Sequence, residues 1–215
     1  MQDSLEKLAL YKSQYAHIQH HRHSNACEMV YDIIKPETAL EKLIIEHEDW
    51  LEGAFWGEPR PGHPEGKVIF HIREVLDNVD KISTDPLLRE ELRLVSIIHD
   101  NFKHLEETLR PRQDWTQHHA VYAMKFAKNI IDRPHVLNVI ELHDEAYYAW
   151  HLNRKHPETN RAFHRLNMLF EKLGDYRQLY YLFFKCDTFT GDKTRIPVQW
   201  FENTVSDIEI TGLKL

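Results

Sequence analysis

Glycine is scarce in this chain. Seven glycines in 215 residues leave little room for the tight turns that many short strands require. Segments rich in Leu, Glu, Lys and Arg at helical spacing take up the length instead. Cysteine is scarcer still. Cys27 and Cys186 are the only two, which excludes a disulfide framework and suits a reducing compartment. No apolar run approaches the roughly 18 residues of a membrane span. Positive charge is not in excess either, and a formal balance of −7 argues against a general coat for nucleic acid. The opening MQDSLEKLAL is acidic and amphipathic, unlike a secretory leader, so the expected address is the cytoplasm.

What is present is the composition of a folded domain: 42% hydrophobic and 28% charged residues, enough chain for one substantial core. The expected class is all-α, a single helical bundle. Residues 1–56 read as a helical extension, including LEKLALYKSQYAHIQ and PETALEKLIIEHEDWLEGAFW, residues 57–190 as the core and 191–215 as an irregular tail. Three prolines and three glycines between Gly57 and Gly66 stop one helix and launch the next. That next helix runs over about 67–82 and carries His71, Val75, Val79 and Ile82 on one face. Asp85-Pro86 caps a helix through LLREELRLVSIIHDNFKHLEETL. Asp114 starts WTQHHAVYAMKFAKNIID, Pro134 opens HVLNVIELHDEAYYAWHL, and Asp175 starts YRQLYYLFFKCD. Alternation in IEITGLKL leaves room for a short strand.

Sixteen histidines stand out, and their placement matters more than their number. Leu88, Leu92 and Val95 precede His99 by 11, 7 and 4 positions, so His99 shares their buried face and Asp100 follows it. From His119, offsets of 4, 7, 8 and 11 reach Ala123, Phe126, Ala127 and Ile130. From His118, offsets of 7 and 11 reach Lys125 and Asn129. His119 is therefore expected to point inward and His118 outward. Val136, Val139 and Ile140 lead to His143; Leu179, Tyr180 and Phe183 lead to Asp187. Polar groups on apolar faces are tolerated when paired or bound to metal. Four histidines and two aspartates make a mixed nitrogen and oxygen donor set for divalent transition metals (Fe, Mn, Ni, Co or Zn). Six donors exceed the needs of one open catalytic metal, so two ions are expected.

Other features read as background. His17, His20, His21 and His23 form a helical-spaced set in polar surroundings. Cys186 is turned roughly 100° from Asp187 on a helix. A basic stretch between Arg154 and Arg195 reads as a solvated face or as a collar for a phosphorylated small molecule.

The order His71, His99-Asp100, His119, His143, Asp187 resembles the HD-domain superfamily of metal-dependent phosphohydrolases over about residues 60–190. HPEGKVIFH is similar to the loop and first ligand of HD domains appended to tRNA nucleotidyltransferases. The resemblance implies a helical bundle with metals at its centre. It implies that His71, His99, Asp100 and Asp187 hold one ion, and that Asp100 bridges to a second held by His119 and His143. Lys103, in HDNFK, occupies the place of a phosphate-contacting lysine, although Phe102 replaces the usual small residue before it. The expected function is hydrolysis of a nucleotide or other small phosphoester by a hydroxide activated by two metals. Asp100 and Lys103 are the expected catalytic residues, and Lys103, Glu65 and Lys193 the expected substrate contacts. A mixed-valence diiron oxygenase of the same superfamily and a metal-containing, ligand-binding regulator remain open as alternatives.

Overall fold

The computed structural model describes residues 23–82 and 84–213, with the side chains of residues 23–27 left aside. The expected helix LEKLALYKSQYAHIQ, the histidines His17, His20 and His21, and the side chains of His23 and Cys27 lie outside the described residues. All regular structure among them is helical. The helices are α1 (His23–Ile34), α2 (Ala39–Ile45), α3 (Glu48–Ala54), α4 (Val68–Val79), α5 (Pro86–Ile98), α6 (Lys103–Thr108), α7 (His119–Ala127), α8 (Pro134–Leu142), α9 (Glu145–Lys155), α10 (Arg161–Leu173), α11 (Arg177–Thr188) and α12 (Ile196–Thr204). No described helix is long and apolar enough to cross a membrane.

The centre of the bundle is α4, α5 and α11, each packed on the other two, with α8 against α5 and α7 against α8. Their facing side chains are fully buried: Ile72 and Leu76 of α4, Val95 and Ile98 of α5, Tyr180 and Phe183 of α11. The N-terminal helices are part of this core rather than an appendage. Ile34, Ile44 and Trp50 are fully buried, and α1 packs on α4 while α2 packs on α5. Buried Glu41 of α2 receives the Arg93 guanidinium of α5 at 2.9 Å on both carboxylate oxygens, the bidentate geometry that makes a buried ion pair tolerable.

Two expected long helices are broken, each at a His-Asp dipeptide. The α5 helix ends at Ile98 and α6 begins at Lys103; α8 ends at Leu142 and α9 begins at Glu145. The expected helix from Trp115 is a single 3-10 turn, Trp115–Gln117, capped by Asp114, and α7 starts only at His119. The tail is also more regular than expected. Ile196–Thr204 is a helix with Pro197 in its first turn, where a missing N–H costs nothing, and IEITGLKL forms no strand over its described residues.

Helix α3 fixes the first break. Trp50 donates its indole N–H to the Ile97 carbonyl at 2.9 Å, and the Asn101 side-chain amide donates back to the Trp50 carbonyl. Gly53 lies so close that a β-carbon there would fall 1.6 Å from the Asn101 carbonyl oxygen. Only glycine permits that approach, because the obstacle is backbone. Gly53→Ala should destabilise the fold by about 1–3 kcal/mol or more and displace the Asp100 segment. An unchanged denaturation midpoint would show that the two segments can part freely.

Candidate metal centre

The six expected donors arrive from five places in the fold, His99 and Asp100 together at the end of α5. His71 lies in the first turn of α4, His99 caps the C-terminus of α5, His119 opens α7, His143 caps α8, and Asp187 sits in the last turn of α11. The structure brings all six together. His71, His99 and Asp187 form one group, and Asp100, His119 and His143 the other, with donor atoms inside each group within 4.8 Å of one another. The four histidines and Asp100 are buried to within a few per cent, whereas Asp187 keeps a fifth of its side chain exposed.

Asp100 is the seam. One carboxylate oxygen, Oδ2, faces the Nε2 atoms of His71 at 3.5 Å and His99 at 3.4 Å. The other, Oδ1, faces the Nε2 atoms of His119 at 3.2 Å and His143 at 3.6 Å. Asp187 Oδ1 lies 2.9 Å from His71 Nε2 and 3.9 Å from His99 Nε2.

The opposite ring nitrogens are all directed at acceptors. His99 Nδ1 meets the Ser96 carbonyl at 3.0 Å and His143 Nδ1 the Ile140 carbonyl at 2.9 Å. His119 Nδ1 meets Glu106 Oε2 at 2.7 Å, and His71 Nδ1 approaches Glu65 Oε1 at 3.4 Å. A carbonyl or carboxylate oxygen can only accept, so in neutral His99, His119 and His143 the proton belongs on Nδ1 and the lone pair on Nε2. Four Nε2 atoms thus converge on the carboxylates. Both ring nitrogens of His71 and Nε2 of His99 are buried with no aligned hydrogen-bond partner, a costly condition for a polar atom. The donor set fits divalent transition metals: imidazole and carboxylate, outer partners fixing each ring, and no thiolate. Cys186 is buried, and burial pushes its thiol far up, out of the reactive range.

The electrostatics follow from the crowding. Burial opposes charge on Asp100, but Lys103 and His99 outweigh it and hold the carboxyl well below its usual range. Lys193 and His71 do the same for Asp187. Burial likewise opposes the charged form of His143, yet Asp144 and Asp100 raise it to about 9. Lys103 Nζ contacts Asp100 Oδ2, and Lys193 Nζ contacts Asp187 Oδ1 at 2.8 Å. The two lysines expected at the substrate therefore stand one on each aspartate, each about one-fifth exposed.

Glu65, also expected at the substrate, turns Oε1 to both His63 Nδ1, at 2.8 Å, and His71. The loop that carries it is closed on itself. Arg60 and His63 exchange backbone hydrogen bonds, and Gly57 and Gly66 take positive φ angles of 110° and 76°. Together with Lys103 and Asp100 it encloses a cavity of about 20 Å³, room for about one water.

Periodicity misplaced His118 and passed over three acids and bases. His118 is fully buried, not outward. It precedes α7 in extended backbone and caps it, accepting from the Ala120 N–H, so helical spacing never applied to it. Its ring stacks on Trp115 with centroids 4.2 Å apart, and its Nε2 lies 3.1 Å from the Tyr148 hydroxyl and 3.4 Å from Asp144 Oδ2. Burial and the neighbouring His119 push its pKa down to about 3. Asp144 joins the second group, its Oδ2 lying 3.6 Å from both His119 Nε2 and His143 Nε2. Glu106 accepts from both the backbone and ring N–H of His119. His63 stands at the mouth beside His71, pushed down to about 4 by burial and by Lys103 and Lys193. A signal existed for Asp144, the second His-Asp dipeptide; none existed for Glu106, whose partner lies 13 residues away.

No family model, curated protein or solved structure matches the chain.

Two outcomes follow from this geometry. Glu106→Ala frees the His119 ring and should weaken any metal bound at the Asp100, His119 and His143 group about 10–100-fold, read by titration with Zn²⁺ or Mn²⁺; an unchanged affinity would show that Glu106 does not orient the ring. Protons and metal compete for the same Nε2 lone pair on His143. Metal affinity should therefore fall as pH drops below about 9, and a flat profile between pH 9 and 6 would exclude His143 as a ligand.

Proposed function

We propose that this protein is a metal-dependent phosphohydrolase of the HD type, acting on a nucleotide or another small phosphoester. The observation that carries the reading is Asp100, whose two carboxylate oxygens each face a separate pair of histidine Nε2 atoms. In it, His71, His99 and Asp187 would hold one ion and His119, His143 and Asp144 a second, with Asp100 placed between the two groups. Such ions, when bound, polarise a phosphoryl oxygen and lower the pKa of bound water toward neutrality.

The remaining work falls to side chains of this chain. Lys103 and Lys193 are partly buried cations, each set against one of the two aspartates, and they receive the phosphoryl oxygens. His63 donates Nδ1–H to Glu65, whose two histidine partners hold its carboxyl low against the effect of burial. His63 lines the cavity, and with Nδ1–H engaged its other ring nitrogen is a neutral acceptor, able to orient water or take up its proton. Glu65 and Glu106 keep the His71 and His119 rings turned. Hydrolysis adds water oxygen to phosphorus, breaks the P–O ester bond and delivers a proton to the leaving alcohol.

Asp100→Asn tests the reading. The side chain keeps its size and loses its charge, so bridging should fail and phosphate release from bis(p-nitrophenyl) phosphate or a nucleotide panel with Mn²⁺, Ni²⁺ or Co²⁺ should drop by orders of magnitude. Thermal melting should fall, because Lys103 loses the buried carboxylate it is paired with, so metal content and activity are compared on protein whose fold circular dichroism has verified. Full activity in the variant would overturn the two-ion mechanism. Tightly bound iron with dioxygen uptake and no phosphate release would move the assignment to the oxygenase branch.

A further inference from the structure

The basic stretch Arg154–Arg195 separates into two kinds of side chain once folded. Arg165 is bound to Glu145 at 2.5 and 2.8 Å, Arg177 to Asp207, Lys185 to Glu202 and Lys193 to Asp187. Arg161, His164 and Lys172 have no side-chain hydrogen bond or ion pair among the described residues. All three line one groove of about 630 Å³. Its wall is one face of α10, Arg161, His164, Arg165, Met168, Leu169 and Lys172, at the spacing that a helix aligns.

The opposite wall is largely apolar, formed by Trp115, Leu142 and Leu152, with Glu145 as its one acid, already paired to Arg165, and Met168 leaves half its surface exposed there. Such a volume suits a small organic ligand. The combination of an apolar trough with unneutralised cations, on a protein whose formal charge is −7, selects an anion with an apolar body. The nitrogen donors are denser at one end. Arg161 and His164 stand one turn apart beside Asn160, where α10 begins with neither a side-chain cap nor an acidic residue in its first turn. Both features favour negative charge there.

We propose that this groove is a second binding site, distinct from the His/Asp cluster, for an organic phosphate with a flat or extended apolar body. Its phosphate lies against Arg161 and His164 and its body along Trp115, Leu152 and Met168. The groove and the cluster share a wall. At the α8–α9 junction His143 and Asp144 face the cluster, while their neighbours Leu142 and Glu145 line the groove. Trp115 lines the groove with its ring stacked on His118, which touches Asp144. An occupant therefore bears on the residues that set the second metal group without entering it.

The test is fluorescence titration with 1-anilinonaphthalene-8-sulfonate, an apolar ring system with one anionic group, followed by displacement with adenosine monophosphate and with adenosine. Wild type should bind the dye saturably, and the monophosphate should displace it at least tenfold more effectively than the nucleoside. Arg161→Glu with His164→Glu should weaken the monophosphate at least tenfold. Both positions are exposed and acids are favourable in a first helical turn, so folding should be retained, as circular dichroism will verify. Asp100→Asn should leave displacement unchanged. Loss of displacement in Asp100→Asn, retention in the double variant, or equal competition by adenosine would each overturn the proposal. Absence of phosphohydrolase activity would leave it standing.

Discussion

The carboxylate of Asp100 is charged in a place from which water is excluded, and the architecture around it answers that one constraint. A lone carboxylate at such depth would take up a proton. Here it is surrounded by Lys103 and four imidazoles, and its ionised form prevails. Those imidazoles come from helices that are distant in sequence, so the bundle must close before the charge is compensated. The buried Arg93–Glu41 pair and the Trp50 and Asn101 exchange hold the elements that deliver the Asp100 segment. Stability and site geometry are therefore the same problem in this part of the molecule.

Both His-Asp dipeptides occupy helix breaks, and the breaks explain how they work. At a helix C-terminus the last carbonyls lack partners. His99 and His143 each turn Nδ1 back on the carbonyl three residues earlier, which caps the helix and fixes the ring in one act. The following aspartate then leaves the helical path and faces the cluster. A continuous helix would rotate the aspartate about 100° from the histidine and separate the pair. Interruption is what lets two adjacent residues serve one centre.

The six donors were legible in the sequence because each follows or opens an apolar face with period 3.6, and the all-α class was legible from glycine scarcity and the same spacing. His118 was misread because the rule was applied past the end of the helix. Its turn toward Trp115 and Tyr148 comes from extended backbone at the cap, where no periodicity holds. Asp144 carried a readable dipeptide but not its geometry, since its approach to His118 and His119 arises only when α7 and α8 pack. Glu106 and His63 act through partners chosen by loop and helix placement. A single sequence holds no local mark of that. The helix at Ile196–Thr204 was hidden by Pro197, which reads as a breaker in a helix interior and as an initiator in a first turn.

The α8–α9 junction shows how one short segment can serve two chemistries. Its four residues divide between sides, the outer two, Leu142 and Glu145, toward the groove and the inner two, His143 and Asp144, toward the cluster. On the groove side Glu145 is neutralised by Arg165, whose guanidinium also lies over the Tyr148 ring at 4.9 Å. On the cluster side Asp144 is compensated by His143 and His119 against the cost of burial. The two acids are adjacent in sequence and would repel if both faced one way. Turning them to opposite faces gives each its own cations, and it leaves Trp115 and His118, stacked between them, as the shared partition. The charge that the cluster needs is thereby kept apart from the positive surface that the groove presents, and neither side neutralises the other.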